Sequence, residues 1–403
     1  MIRAFAINLS ATLLGTVLST LATFVIVRTL TPENWGASAS ALGIGQLVGA
    51  SLSFGTQIER VRRYSRLPPS DRSAEAELDS RARLAIAFVV AAAGFAIMVV
   101  SPFAGSILLT AAGVYASLGA ANYFIAAKRF FAAGAVVLAE KGLLFSIVAT
   151  TVLFWTPVPT TLPLAQGIAG LAVATVVGLV TRVGATRLGV VGHARRLILQ
   201  YKSGFHIGIA SLAPSFLLLD ATIVIALAGS TAAGTFALAA RLVAPLTVAT
   251  SALVTVLMPF LVDRPEEEHE RTNLRLLFGA TAVYFAALAG LALSATTWVP
   301  LVFGSRYEGA VVPVQLYIGN AFVVFFTRVL VTLGQAAGDD KAMSWLVSVQ
   351  VVTALIGIAV GADVAGSSGA AFGVVTTNAV LAVVLALRTK IRSKATTRGP
   401  RTT

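Results

Sequence analysis

The sequence predicts an all-α integral membrane protein of about twelve transmembrane helices, divided six and six. Three observations predict it. The 403 residues are 57% hydrophobic and only 12% charged, with a mean hydropathy of +0.87, a composition suited to a bilayer rather than to water. Twelve apolar stretches are long enough to cross. Once these are read as spans, twenty-five of the thirty Lys and Arg residues fall on one side.

A crossing needs about 20 mostly apolar residues, because a helix rises about 1.5 Å per residue through about 30 Å of hydrocarbon. The spans fall at 5–27, 36–58, 84–103, 106–127, 131–155, 161–181, 204–228, 235–259, 276–298, 310–335, 342–362 and 367–387. They are helices, since lipid offers backbone groups no partner and the period-two alternation of a membrane barrel is absent.

With the N-terminus inside, the inner loops take Arg3, then Arg60, Arg62, Arg63, Arg66, Arg72, Arg81 and Arg83 between the second and third spans. Lys128 and Arg129 follow the fourth span, and Arg182, Arg187, Arg195, Arg196 and Lys202 the sixth. Arg264, Arg271, Arg275 and Lys341 come next, and Arg388, Lys390, Arg392, Lys394, Arg398 and Arg401 close the chain. The outer loops hold only Arg28 and Arg306. This bias places both termini in the cytoplasm. Trp35, Trp155 and Trp298 fall at outer span ends and Trp345 near an inner one, where amphipathic rings sit best.

A net charge of +13 would suggest nucleic acid in a soluble protein, but here the basic loops alternate with spans and face anionic headgroups. No nucleic-acid partner is expected. The longest stretches between spans, 59–83 and 182–203, are too short for a folded catalytic domain. No Gly-rich phosphate loop ending in Gly-Lys-Ser/Thr occurs. His193, His206 and His269 lack metal-ligand spacing, and without cysteine there is no thiol chemistry. Neither enzyme activity, a metal site nor a cofactor is expected. The first apolar run is read as a retained span rather than a cleaved signal, because a second span follows at once.

Sliding the chain against itself by 198 residues overlays Val25–Leu42 on Ile223–Ala240, with Gly36 on Gly234, and Asn122 on Asn320. The basic loop also splits the spans six and six. The organisation read from this is an N-terminal six-helix lobe over 1–182, a cytoplasmic basic linker over 183–203, a C-terminal six-helix lobe over 204–388, and a basic cytoplasmic tail over 389–403 expected to be disordered.

Four stretches carry a family resemblance. Arg28-Thr-Leu-Thr-Pro-Glu-Asn-Trp-Gly36 looks like an "R-x-L-[ST]-P-x-x-[YW/F]-G" turn between the first two helices. Lys128-Arg129-Phe130 followed by Ala139-Glu140 is similar to a short basic turn and an "A-E" early in the fifth helix. Asp220 through Gly229 and Gly234 to Ala240-Arg241-Leu242 is like a "D…G…G-x-[YF]-x-x-A-x-[RK]-L" hairpin, and Pro300-Leu-Val-Phe-Gly-Ser-Arg-Tyr307 like a "P-x-[IL]-x-x-[LI]-F-G-x-x-[YF]" turn. Together they resemble the polysaccharide-biosynthesis flippases, including O-antigen flippases, of the multidrug/oligosaccharidyl-lipid/polysaccharide exporter superfamily. The resemblance implies two six-helix bundles around a central V-shaped cavity opening alternately to each face. It also implies a bacterial inner (plasma) membrane location and an isoprenoid diphosphate-linked oligosaccharide substrate. The protein would act among membrane lipids, beside a polysaccharide polymerase or glycosyltransferases.

Ionisable side chains within spans are the candidate site, since Asp, Lys or Arg at a helix centre costs about 2.5–3.5 kcal/mol even on the lenient insertion scale. Glu140 and Asp220 reach the midplane, one in each lobe. In one reading they neutralise neighbouring cations, Asp220 meeting Arg241 across the turn 229–234. Lys141 is not expected to face Glu140, because successive helical residues diverge by about 100°; its stem snorkels toward the cytoplasm. Arg129 and Arg328 anchor to inner headgroups.

In the other reading the same cations bind the diphosphate, Arg129 and Arg328 first and Lys141 and Arg241 deeper. Glu140 and Asp220 then compete for them or take up a coupling proton or sodium ion. Pro214 and Pro245 are expected to kink the spans carrying Asp220 and Arg241. Asn122 and Asn320 are helix-bridging or cavity amides. The alternatives to a flippase are a cation-coupled multidrug exporter of the same superfamily and a non-transporting membrane scaffold.

Overall fold

A computed structural model describes residues 2–53, 68–126, 129–181, 212–262, 268–336 and 339–397. The predicted linker 183–203 lies outside the described residues, as do residues 204–211 of the seventh predicted span.

Eleven α-helices follow one another: α1 (Ile2–Val27), α2 (Pro32–Ser53), α3 (Pro69–Met98), α4 (Pro102–Ala126), α5 (Phe130–Phe154), α6 (Thr161–Val180), α7 (Asp220–Val262), α8 (Glu268–Leu293), α9 (Ala295–Phe303), α10 (Val311–Ala336) and α11 (Asp340–Thr397). Short 3₁₀ turns at Ala213–Leu219 and Ser305–Ala310 lead into α7 and α10. No strand occurs among the described residues. The chain is an all-helical, multi-pass membrane protein.

Eight of the described helices are long and apolar enough to cross a membrane, or nine if the pair α8 and α9, bent by 66°, makes one crossing. Two of the apolar stretches, Pro214–Leu246 with 33 residues and Trp345–Arg388 with 44, are too long for one crossing. Each is broken. Gly229 (φ 84°) interrupts α7, and Ala365 with Gly366 (φ 57°) interrupts α11. Only glycine takes such left-handed backbone angles without strain. With these breaks, and with the Ser- and Gly-rich α2, the described part of each predicted span is helical.

The chain divides into two compact units, Met1–Ala226 and Leu227–Thr403. In the first, α4 is the central helix, and small residues let its neighbours approach its backbone. A Cβ on Gly45 would lie 2.6 Å from Thr110 Cβ, one on Gly49 2.8 Å from the Ala111 carbonyl, and one on Gly105 2.7 Å from the Gly94 carbonyl. Gly113, Gly167 and Gly170 bring α4 and α6 into backbone contact.

The start of α7 belongs to this unit as well: Ser40 and Thr222 share a hydroxyl hydrogen bond of 2.8 Å, and Gly43 lies against the Leu218 carbonyl. The seventh span, expected in the C-terminal lobe, therefore packs with the first six as far as Ala226.

In the second unit the two arms of α11 fold back on each other at Gly366, with Gly357 against Gly373 and Gly361 against Gly369. Rings from α8 and α10 cluster, Phe285 stacking on Phe322 with centroids 4.6 Å apart and meeting Phe325 edge-on at 5.0 Å.

Four expectations need correction. Trp35, expected at the outer interface, is fully buried, whereas Trp155 and Trp345 are exposed at helix ends. Arg81 and Arg83, assigned to an inner loop, lie on α3 within the apolar stretch Asp79–Met98. Pro245 keeps helical φ/ψ within α7, whose one non-helical residue is Gly229, while Pro214 sits in a 3₁₀ turn instead of a bent α-helix. The tail expected to be disordered from residue 389 is helical as far as Thr397.

Many apolar side chains point outward, among them Val89, Val180, Leu293 and Val364, each more than 70% exposed. In water such a surface would aggregate; in lipid it is the solvated face.

Candidate functional site

Two charged residues of the first unit stand side by side within the apolar helix α5. Glu140 and Lys141 follow ten apolar or small residues of that helix. Lys141 Nζ lies 2.7 Å from Glu140 Oε1, so the two side chains that were expected to diverge are paired. Their Cβ atoms do diverge, but four methylenes let the lysine head swing across the helix surface to its neighbour.

Gln166, on α6, completes the cluster. Its Nε2 donates to the same Glu140 oxygen at 2.6 Å, and its Oε1 accepts from Lys141 Nζ at 3.4 Å. The start of α6 is held by Thr110, whose hydroxyl donates to the Pro163 carbonyl at 2.8 Å. The Glu140 and Gln166 residues are 7% and 3% exposed, and the Lys141 side chain 24%. On the far side the lysine stem runs past Gly15 of α1, where a Cβ would stand 3.4 Å from Lys141 Cγ. Charge-assisted bonds of this length are strong where water is scarce, and they offset the cost of keeping two ions at depth.

Asp220 marks the junction of the 3₁₀ turn and α7, and its Oδ1 accepts from the Ala221 amide at 2.6 Å. A carboxylate there faces the positive end of the helix dipole. Arg241 lies on the second arm of α7, half-buried, in the second unit. Arg129 precedes α5 and Arg328 lies on α10, and both are exposed. Among the described residues no hydrogen bond or ion pair engages the side chains of Arg129, Arg241 or Arg328. Of the predicted site residues, only Glu140 and Lys141 are brought into contact with each other.

Asn320 is a helix-bridging residue. It accepts from Asn378 Nδ2 at 2.9 Å, and Asn378 in turn accepts from Gln350 Nε2 at 2.6 Å, so three amides tie α10 to both arms of α11. Asn122, its partner in the sequence repeat, makes no such bridge; its buried Nδ2 has no hydrogen-bond partner among the described residues.

Sequence reasoning missed Gln166, Gln350 and Asn378, each a lone amide in an apolar run. It also missed Arg83, which is 1% exposed with its guanidinium 5.1 Å from the centre of the Tyr115 ring. Gly119, one turn beyond Tyr115, makes room for it: a Cβ there would be 2.9 Å from Arg83 Cδ. No group of three or more His, Cys, Asp or Glu side chains able to hold a metal ion occurs among the described residues.

No protein-family model matches the chain, and no curated protein matches it. Solved structures do. An inward-facing multidrug resistance MATE family transporter of the MOP superfamily aligns over 96% of both chains at 17% identity and a TM-score of 0.65. The lipid II flippase MurJ in an inward closed conformation aligns over 97% of this chain and 88% of that one, at 10% identity and a TM-score of 0.72. A MOP superfamily transporter from Pyrococcus furiosus, described as having a binding pocket of reverse polarity, covers 98% of this chain at 14% identity and a TM-score of 0.51. The chain thus has the fold shared by MATE transporters and a lipid flippase of the MOP superfamily.

Proposed function

We propose that this protein is a flippase that moves an isoprenoid diphosphate-linked oligosaccharide or polysaccharide precursor from the inner to the outer leaflet by alternating access. It acts in a bacterial inner membrane with both termini in the cytoplasm, beside the glycosyltransferases or polymerase that make and consume its cargo. The carrying observation is the charge balance at membrane depth. Within the apolar stretches Arg81, Arg83, Lys141, Arg241, Arg306, Arg328 and Arg388 stand against Asp79, Glu140, Asp220, Glu308 and Asp363, an excess of cations that suits an anionic headgroup better than a cationic drug. The fold shared with a lipid II flippase supports the same reading. Each unit offers its own candidate contacts for the diphosphate, Arg129 and Lys141 in the first and Arg241 and Arg328 in the second.

Purified protein in vesicles tests the proposal. A fluorescent isoprenoid diphosphate lipid is expected to cross between leaflets, and Lys141→Ala or Arg241→Ala to abolish crossing at unchanged protein levels. Uptake of a cationic dye without lipid crossing would identify a multidrug exporter. Absence of both would leave a membrane scaffold.

A further inference from the structure

Glu140 stands in a region almost free of other charge. The helices packed against α5 are α1, α4 and α6. α4 and α6 contain no Asp, Glu, Lys, Arg or His, α1 contains only Arg3 near its start, and the other titratable groups are Tyr115 and Tyr123 of α4. α5 itself carries Glu140 and Lys141 alone. Among the described residues, the side-chain partners of Glu140 are therefore one cation, Lys141, and the neutral amide of Gln166, which bonds to both.

We propose that Gln166 is a positioning residue that lets Glu140 take up a proton and hand Lys141 to the diphosphate of the cargo. The proposal rests on the flippase reading above. An amide can donate to an ionised carboxylate and accept from a neutral one. With Glu140 ionised, Gln166 Nε2 donates to Oε1 at 2.6 Å, as observed. With Glu140 protonated, Gln166 Oε1 accepts the carboxyl O–H, so the buried acid keeps a partner after the lysine leaves. Lys141 is the member able to leave, since its side chain is 24% exposed against 9% for Glu140. Its four-carbon stem packs past Gly15 of α1, and the rotatable head beyond it is the part that can swing away. Proton and phosphate then bind together, because the ammonium is released only when the carboxylate is neutral.

The test is the binding of farnesyl diphosphate to the purified full chain between about pH 5 and about pH 8, a range that brackets the ordinary carboxylate and imidazole titrations. Glu140→Gln mimics the protonated acid and reports the probe's own titration. Wild-type affinity is expected to fall with rising pH more steeply than that of Glu140→Gln, by up to about tenfold per pH unit where one extra proton is linked. Gln166→Leu is expected to lose the gain at acid pH, and Lys141→Met to bind weakly throughout. Parallel pH profiles for wild type and Glu140→Gln overturn the proposal and leave the diphosphate reading standing. Binding that no variant weakens, or no binding at all, overturns both.

Discussion

Asn378 donates from Nδ2 to Asn320 Oδ1 at 2.9 Å, a bond between side chains 58 residues apart in sequence. Both residues are less than 8% exposed, and Gln350 extends the line by a further bond to Asn378. Truncating the middle residue removes both bonds and leaves two amides facing hydrocarbon. Asn378→Ala is expected to destabilise the folded protein by about 0.6–2 kcal/mol, the range measured for such bonds between membrane helices. Asn378→Asp, which keeps the shape but sets a buried carboxylate against the Asn320 carbonyl oxygen, is expected to cost at least as much as alanine. Equal unfolding midpoints for all three would remove the amide line from the energetics of the fold.

Glu140 and Lys141 predict a strongly non-additive pair. Glu140→Leu alone strands an ammonium that has no other carboxylate partner among the described residues, and is expected to cost about 3–5 kcal/mol. Replacing both residues by apolar ones of similar size, Glu140→Leu with Lys141→Met, is expected to be near neutral, since two ions no longer need to be desolvated. A double-mutant cycle on reversible unfolding measures this. Additive effects would mean that the 2.7 Å contact contributes nothing.

Such pairing shows where the sequence was legible and where it was not. Helical class and multiple crossings follow from apolar length, and the glycines at 229, 304 and 366 mark three turns with positive φ. The place of Glu140 well inside a helix could be read from the span limits. The contact with Lys141 could not, because helical geometry fixes Cβ directions and leaves a four-carbon side chain free to cross them. Gln166 arrives from another helix, and its partnership depends on the small-residue packing of α4 against α6, which no local pattern specifies. Arg83 was taken for a loop residue because α3 begins at Pro69, some fifteen residues before the apolar run is evident.

For Arg83, burial against Tyr115 predicts sensitivity to volume as well as to charge. Gly119→Ala would place a Cβ 2.9 Å from Arg83 Cδ and push the side chain off the ring. It is expected to cost about 1–3 kcal/mol, as overpacking usually does. Tyr115→Leu is expected to lose the cation–π contact and part of the core, giving a similar drop in thermal midpoint. A Gly119→Ala protein as stable as wild type would contradict the tight fit.

At the fold of α11, Gly361 and Gly369 touch through their backbones, and either Cβ would strike the opposite carbonyl. Gly361→Leu is expected to splay the two arms and to lower stability by about 1–3 kcal/mol. Its effect should exceed that of Gly290→Leu, whose Cβ meets nothing within 4 Å. Comparing the two variants by thermal unfolding in detergent is decisive, and the reverse ranking would disprove the close approach.

The break in α11 consists of Ala365 and Gly366 alone. A connection that short leaves no slack for one arm to settle while the other is still being synthesised. The nascent chain must therefore deliver both arms to the bilayer as a single hairpin, with the last carbonyls of one arm and the first amides of the other gathered at its tip.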